Sequence, residues 1–219
     1  KWIRKLESLH KFDCIILPGS KQTIKDQLFL EESGLSTEIK AYSMGEGNVL
    51  GICGGLQMLG ESLKDPYSKE GSNNFLKEEI NGIGILPLKT IFNKNKKTRQ
   101  LSCKSLWPCV VNIDGFEIHN GKSDISSQNQ TLKIKRLFDK DNLGWYFVND
   151  KGGTTAGTYI HGIFDNDLWR VSYINLIRER KGLPKLDKQA NNYKIKRDSI
   201  IENLALEFNK YINLSEFLT

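Results

Sequence analysis

Cys53 stands in the run Gly51-Ile52-Cys53-Gly54-Gly55-Leu56-Gln57. A short apolar stretch, Val49, Leu50 and Ile52, ends at this cysteine, and Leu56, Met58 and Leu59 resume at once with helical spacing. Strand, sharp turn and helix make a nucleophile elbow, with the reactive atom at its tip. Gly51 and Gly55 allow close backbone approach and strained dihedrals there. A helix N-terminus behind Cys53 favours its thiolate, and its free N–H groups, that of Gly54 first, suit a developing oxyanion. A bare Gly-x-Cys would equally describe a buried cysteine closing a core strand. Gly54, Gly55 and Gln57 turn the reading toward chemistry.

A thiol nucleophile needs a base to take its proton and return it to the leaving group. His161 ends the strand-like run Thr154–Ile160 and is followed by Gly162, so it can project into a cleft; alone, the same pattern fits a structural histidine. Glu117-Ile118-His119-Asn120-Gly121 offers a rival base, His119, on the same strand face as Glu117. Gln57 lies one helical turn beyond Cys53 on the same face. Four cysteines and three histidines show no metal-type spacing.

The elements that must position these residues alternate. Residues 12–17 read as a buried strand that Pro18-Gly19-Ser20 breaks. Residues 21–32 carry Ile24, Leu28 and Leu30 at helical spacing, and 36–44 predict a second helix ending at Gly45. The strand 48–52 then enters the elbow, and 54–63 predict the helix leaving it. This alternation predicts a parallel sheet covered by helices, with the site at the carboxyl ends of its strands. Residues 64–80 read as a polar loop. Strands follow over 84–92, 106–113, 115–119, 131–138, 143–148 and 155–160, then helices over 166–180 and 190–211.

The chain has 219 residues, 38% of them hydrophobic, and no apolar stretch near the ~20 residues of a membrane span. The formal charge of +6 is dispersed. Its densest piece, Asn93-Lys94-Asn95-Lys96-Lys97-Thr98-Arg99, reads as a solvated loop, and without interleaved aromatics it gives no nucleic-acid signal. Unpaired cysteine spacing suits a reducing cytoplasm.

The elbow resembles the Gly-x-Cys-x-Gly-x-Gln motif of class I glutamine amidotransferases. Leu17-Pro18-Gly19-Ser20-Lys21 followed by Thr23, together with Gly51-Ile52-Cys53-Gly54-Gly55 and Gln57-Met58-Leu59-Gly60, is closest to the cobyric acid synthase branch. Asp65-Pro66, Glu70-Gly71, Gly82–Pro87, Gly115–His119 and Gly157–Phe164 continue the match in family order.

The resemblance implies an α/β, three-layer, flavodoxin-like fold over 1–219, with a mostly parallel central sheet and a strand-rich second half. It implies glutamine as substrate, Cys53 and His161 as catalytic pair, and Gly19, Ser20, Gly54, Gln57, Glu117 and His119 at the oxyanion and substrate positions. No metal or cofactor is implied for this domain; ATP and Mg²⁺ belong to an N-terminal synthetase domain that amidates adenosylcobyrinic acid a,c-diamide. Family members also place a strand ahead of the segment matching 1–12, and a chain without it is expected to expose a sheet edge through which copies pair. Many class I members carry a glutamate two residues after the histidine; here that position is Ile163, so a plain Cys–His dyad or an orienter elsewhere, Asp165 or Glu117, is expected. Amidation of cobyrinic acid or of a cell-wall lipid precursor, and a non-catalytic docking module of the same fold, remain as alternatives.

Overall fold

The computed structural model describes residues 1–70, 78–126, 134–187 and 192–212. They fall into two units, Lys1–Ile163 and Phe164–Thr219. The first runs β1 (Ile15–Leu17), α1 (Thr23–Glu32), α2 (Leu35–Met44), β2 (Asn48–Ile52), α3 (Gly54–Met58), β3 (Ser62–Lys64), β4 (Glu79–Asn81), β5 (Leu88–Ser105), β6 (Val111–Ile125), β7 (Lys135–Arg136), β8 (Gly144–Val148), β9 (Thr154–Thr158) and β10 (Ile160–His161). The second unit holds α4 (Asp167–Arg180) and α5 (Tyr193–Asn209). In α4, Trp169 stacks on Tyr173 at 5.2 Å between ring centres. The Asn192 side chain caps α5 by accepting the Ile195 N–H at 3.1 Å.

Two sheets form among the described residues, in the orders β1-β2-β9-β8-β7 and β10-β6-β5-β3-β4. The expected parallel pairing is carried by β1, β2 and β9. β8 and β7 continue that sheet antiparallel. β2 is buried on both faces from Asn48 to Gly51, as a central parallel strand must be. Its helices pack Ile24, Leu35, Ile39 and Leu56 into a core shared with Val49, Leu88 and Trp145.

The second sheet rests on a long hairpin, β5 and β6, where the sequence reading has shorter strands and a basic loop. Residues 93–99 are strand, not loop. They are exposed on both faces, so no apolar alternation betrays them. Pairing with β6 holds Lys97, Thr98 and Arg99 instead, while 93–96 fall in the register shift between Phe92 and Lys97 that marks a bulge. The helix predicted over 54–63 also stops early, at Met58. After one closing turn the Glu61 N–H donates to the Leu88 carbonyl at 2.7 Å, and that tertiary bond draws the chain out as β3. The loop reading of 64–80 gives way to β4 at its end; residues 71–77, 131–133 and 190–191 lie outside the described residues.

One crossing positions the site. β9 belongs to the first sheet and β10 to the second, with only Tyr159 between them. The strand beside the elbow therefore delivers His161 into pairing with β6, opposite Phe116.

Candidate active site

Cys53 joins β2 to α3 with φ +52° and ψ −107°. The strain sits on the cysteine itself, while the neighbouring glycines provide room. A Cβ on Gly51 would lie 2.6 Å from the Gly55 carbonyl carbon, and one on Gly55 would lie 2.0 Å from the Leu17 carbonyl oxygen. The Cys53 N–H donates to the Thr158 carbonyl at 2.8 Å, tying the elbow to the end of β9.

A cavity of about 530 Å³ opens at this point, with Cys53, Gln57, His119 and His161 in its wall beside Gly19 and Ser20. That volume suits a small-molecule site. A Cβ on Gly19 would lie 3.4 Å from His161 Cε1 and 3.7 Å from Cys53 Cβ, in ordinary contact with both, so Gly19 sits directly beside the two side chains. A Cβ on Gly54 would lie 2.9 Å from the Ser20 nitrogen. The two backbone segments expected to form an oxyanion hole are thus side by side.

The thiol at rest does not engage His161. Its Sγ donates to the Ile118 carbonyl at 3.4 Å. Burial pushes the Cys53 thiol up to about 11; the Gly54 N–H opposes this, Glu70 adds to it and Lys96 opposes it. The helix end expected to favour the thiolate belongs to a helix of five residues, and burial prevails over it.

Glu117 and His119 share a face, but only His119 reaches the cavity. Glu117 lies behind it, 1% exposed, paired with Lys97 and Arg99 at 2.6 Å each and with His119 Nε2 at 2.9 Å. Burial works to raise the Glu117 carboxyl, yet hydrogen bonds from Lys97, His119 and Arg99 hold it below its usual value. His119 Nδ1 meets the Gly121 carbonyl at 2.5 Å. Both ring nitrogens are thereby engaged by neighbouring oxygens, whereas a base for the thiol needs a ring nitrogen turned to it. His161, the other candidate, has no such partner on its Nε2 among the described residues.

Sequence reasoning missed three contributors. Glu70 is buried and lines the cavity. Its Oε2 accepts the Thr23 N–H at 3.1 Å and the Thr23 hydroxyl at 3.0 Å, and its Oε1 accepts from Asn120 Nδ2 at 3.3 Å. Asp65 shapes the approach by accepting the N–H groups of Lys69 and Glu70 at 2.9 and 2.8 Å. The Asp65-Pro66 and Glu70-Gly71 motif was the available signal for Glu70. Tyr159 holds Gln57, whose Nε2 donates to its hydroxyl at 3.2 Å, and stacks on His119 at 3.8 Å. No local pattern distinguishes such a tyrosine from an ordinary core residue.

The model of the CobB/CobQ-like glutamine amidotransferase domain matches residues 1–169. The chain belongs to that family. A cobyric acid synthase from Prochlorococcus marinus (strain MIT 9301) is 60% identical over 219 residues, which is 100% of this chain and 43% of the relative. The cobyric acid synthase of Synechococcus sp. (strain CC9311) is 40% identical over 222 residues, again 100% of this chain and 43% of the relative. The chain spans less than half the length of these curated relatives. A crystal structure of a glutamine amidotransferase shares the fold, with a TM-score of 0.55 and 14% identity over 84% of this chain and 86% of that one.

In this amidotransferase domain no carboxylate among the described residues pairs with the His161 ring. Its Nε2 is buried with no hydrogen-bond partner. An orphaned nitrogen of this kind is costly unless a reacting group uses it. No helix among the described residues is long and apolar enough to cross a membrane.

Proposed function

We propose that this amidotransferase domain hydrolyses glutamine at Cys53 and is the ammonia-producing part of a cobyric acid synthase. One observation carries the reading: a single cavity wall holds Cys53, His161, Gln57 and the buried carboxylate of Glu70. The thiol turns to His161 Nε2, loses its proton there, and attacks the side-chain amide carbon. Backbone N–H groups of the Gly54 and Gly19–Ser20 segments receive the oxyanion. His161 returns the proton to nitrogen, ammonia leaves, and water cleaves the thioester to glutamate. Glu70 pairs with no cation among the described residues, so it suits the α-ammonium; Lys21, Lys69 and Lys96 in the same wall suit the α-carboxylate.

The 60% identity to cobyric acid synthases supports the acceptor, adenosylcobyrinic acid a,c-diamide. An ATP- and Mg²⁺-dependent synthetase portion of the same polypeptide would use the ammonia to amidate its peripheral carboxylates. The four free cysteines agree with a cytoplasmic setting.

A glutamine-like diazoketone tests the pocket. Peptide mass spectrometry should find the adduct on Cys53, with Cys14, Cys103 and Cys109 unmodified and no adduct in Cys53→Ala. A folded chain that takes no adduct would rule out a glutamine-shaped site. Glu70→Gln should raise KM for glutamine about 10- to 100-fold, as loss of a charged hydrogen bond does, with a much smaller change in kcat. An unchanged KM would remove Glu70 from the α-ammonium position.

A further inference from the structure

We propose that Glu117 is a positioning residue for the nucleophile: it fixes the segment 117–119 of β6 so that the Ile118 carbonyl holds the Cys53 thiol at rest and takes an amide N–H of the substrate during turnover. The second half of this statement rests on the glutamine reading above; the first half rests on geometry alone.

Ile118 lies between two anchored residues. Across the hairpin Glu117 is in register with Arg99, and His119 with Lys97. The Glu117 carboxylate binds Arg99 with one oxygen and shares the other between Lys97 and His119. Regular pairing with β5 breaks immediately beyond, where the register shifts between Lys97 and Phe92. The ladder is weakest beside this segment, and the side-chain clamp substitutes for it. On its other edge β6 pairs with β10, Glu117 opposite Ile160, so the same residue lies next to the strand that delivers His161.

The Ile118 carbonyl meets the nucleophile inside the cavity. An S–H···O=C bond needs the proton on sulfur, so it keeps the nucleophile in its unreactive form. For attack the thiol must leave that carbonyl for His161. A side-chain amide entering beside Cys53 brings two N–H donors that are stronger than a thiol. By taking the carbonyl, the amide frees the thiol and is itself held against the nucleophile. An empty site then keeps a protonated thiol, and occupancy by an amide starts the chemistry.

The test uses the full chain and a reporter within the same hairpin. Cys103 lies on β5 opposite Ile113 of β6, is buried, and also has its thiol pushed up to about 11 by burial. In Glu117→Gln, iodoacetamide labelling of Cys53 at fixed pH should rise about tenfold, while Cys103 labelling stays unchanged and kcat/KM for glutamine falls about tenfold. Opposite movement of labelling and hydrolysis is the signature, because a merely loosened hairpin would expose both cysteines together. Unchanged Cys53 labelling, or a parallel rise at Cys103, would overturn the proposal. Should Glu117→Gln not fold, Arg99→Met removes the clamp from its exposed side and gives the same decision. A wild-type chain that does not hydrolyse glutamine would sink the glutamine reading, while the labelling still decides the role of Glu117.

Discussion

Cys53→Ala and Cys53→Gly should both end glutamine hydrolysis, and the glycine variant should be the more stable of the two by about 1 kcal/mol. Loss of a covalent nucleophile costs on the order of 10⁴-fold or more, since what remains is binding and oxyanion stabilisation alone. The stability difference has a separate origin. At φ +52° and ψ −107° any residue with a Cβ is strained. That strain is worth about 1–3 kcal/mol, against roughly 0.5–1 kcal/mol of extra chain entropy that glycine loses on folding. Strain is the larger quantity, so glycine gains over alanine. Comparing the two variants removes the thiol from both and isolates the backbone effect. Denaturant unfolding of the pair, beside a glutaminase assay, measures both. An alanine variant as stable as the glycine one would mean the elbow stores no strain.

The elbow was legible because its chemistry is local. Gly51, Cys53, Gly54, Gly55 and Gln57 lie within seven consecutive positions, and each constraint acts between near neighbours or on β1 directly beside them. The place of His161 at a strand end before a glycine was legible too, but that pattern fits a structural histidine equally, and only the family resemblance chose it as the base. Glu117 and His119 were correctly put on one face, but the face alone cannot show that one lines the cavity and the other backs it. That distinction is set by Lys97 and Arg99, eighteen or more residues earlier, in a run whose charge reads as a solvated loop. A hairpin strand held by its partner needs no hydrophobic alternation, so periodicity had nothing to detect. Glu70 was hidden differently. A carboxylate is ordinarily exposed, and only the Thr23 and Asn120 donors, far away in sequence, explain its burial. The local dihedral signal also misled in one detail, since the strain lies on Cys53 and the glycines relieve crowding instead.

Gly55→Ala should cost the fold about 3 kcal/mol, a large share of the roughly 5–15 kcal/mol of an ordinary domain. Helix propensity alone predicts the reverse, because alanine is favoured over glycine inside a helix by roughly 1 kcal/mol. Packing decides. The added carbon would sit 2.0 Å from the Leu17 oxygen, 2.6 Å from its carbonyl carbon and 2.9 Å from its Cβ. Two of these are backbone atoms of β1, which is fixed by parallel pairing with β2, Leu17 opposite Gly51. No side-chain rotation relieves the contact, so α3 or β1 must move. Either movement would separate Gly54 from Ser20 and open the oxyanion position. Any folded fraction should therefore also lose kcat while Cys103 stays protected from alkylation, because it pairs with Ile113, further along the hairpin than Gly121, where Gln57 of α3 approaches β6. Thermal unfolding followed by circular dichroism gives the first quantity and peptide-resolved labelling the second. A Gly55→Ala chain with wild-type stability would mean that β1 yields without cost, and the close approach of β1 to the elbow would then not be what holds the nucleophile in place.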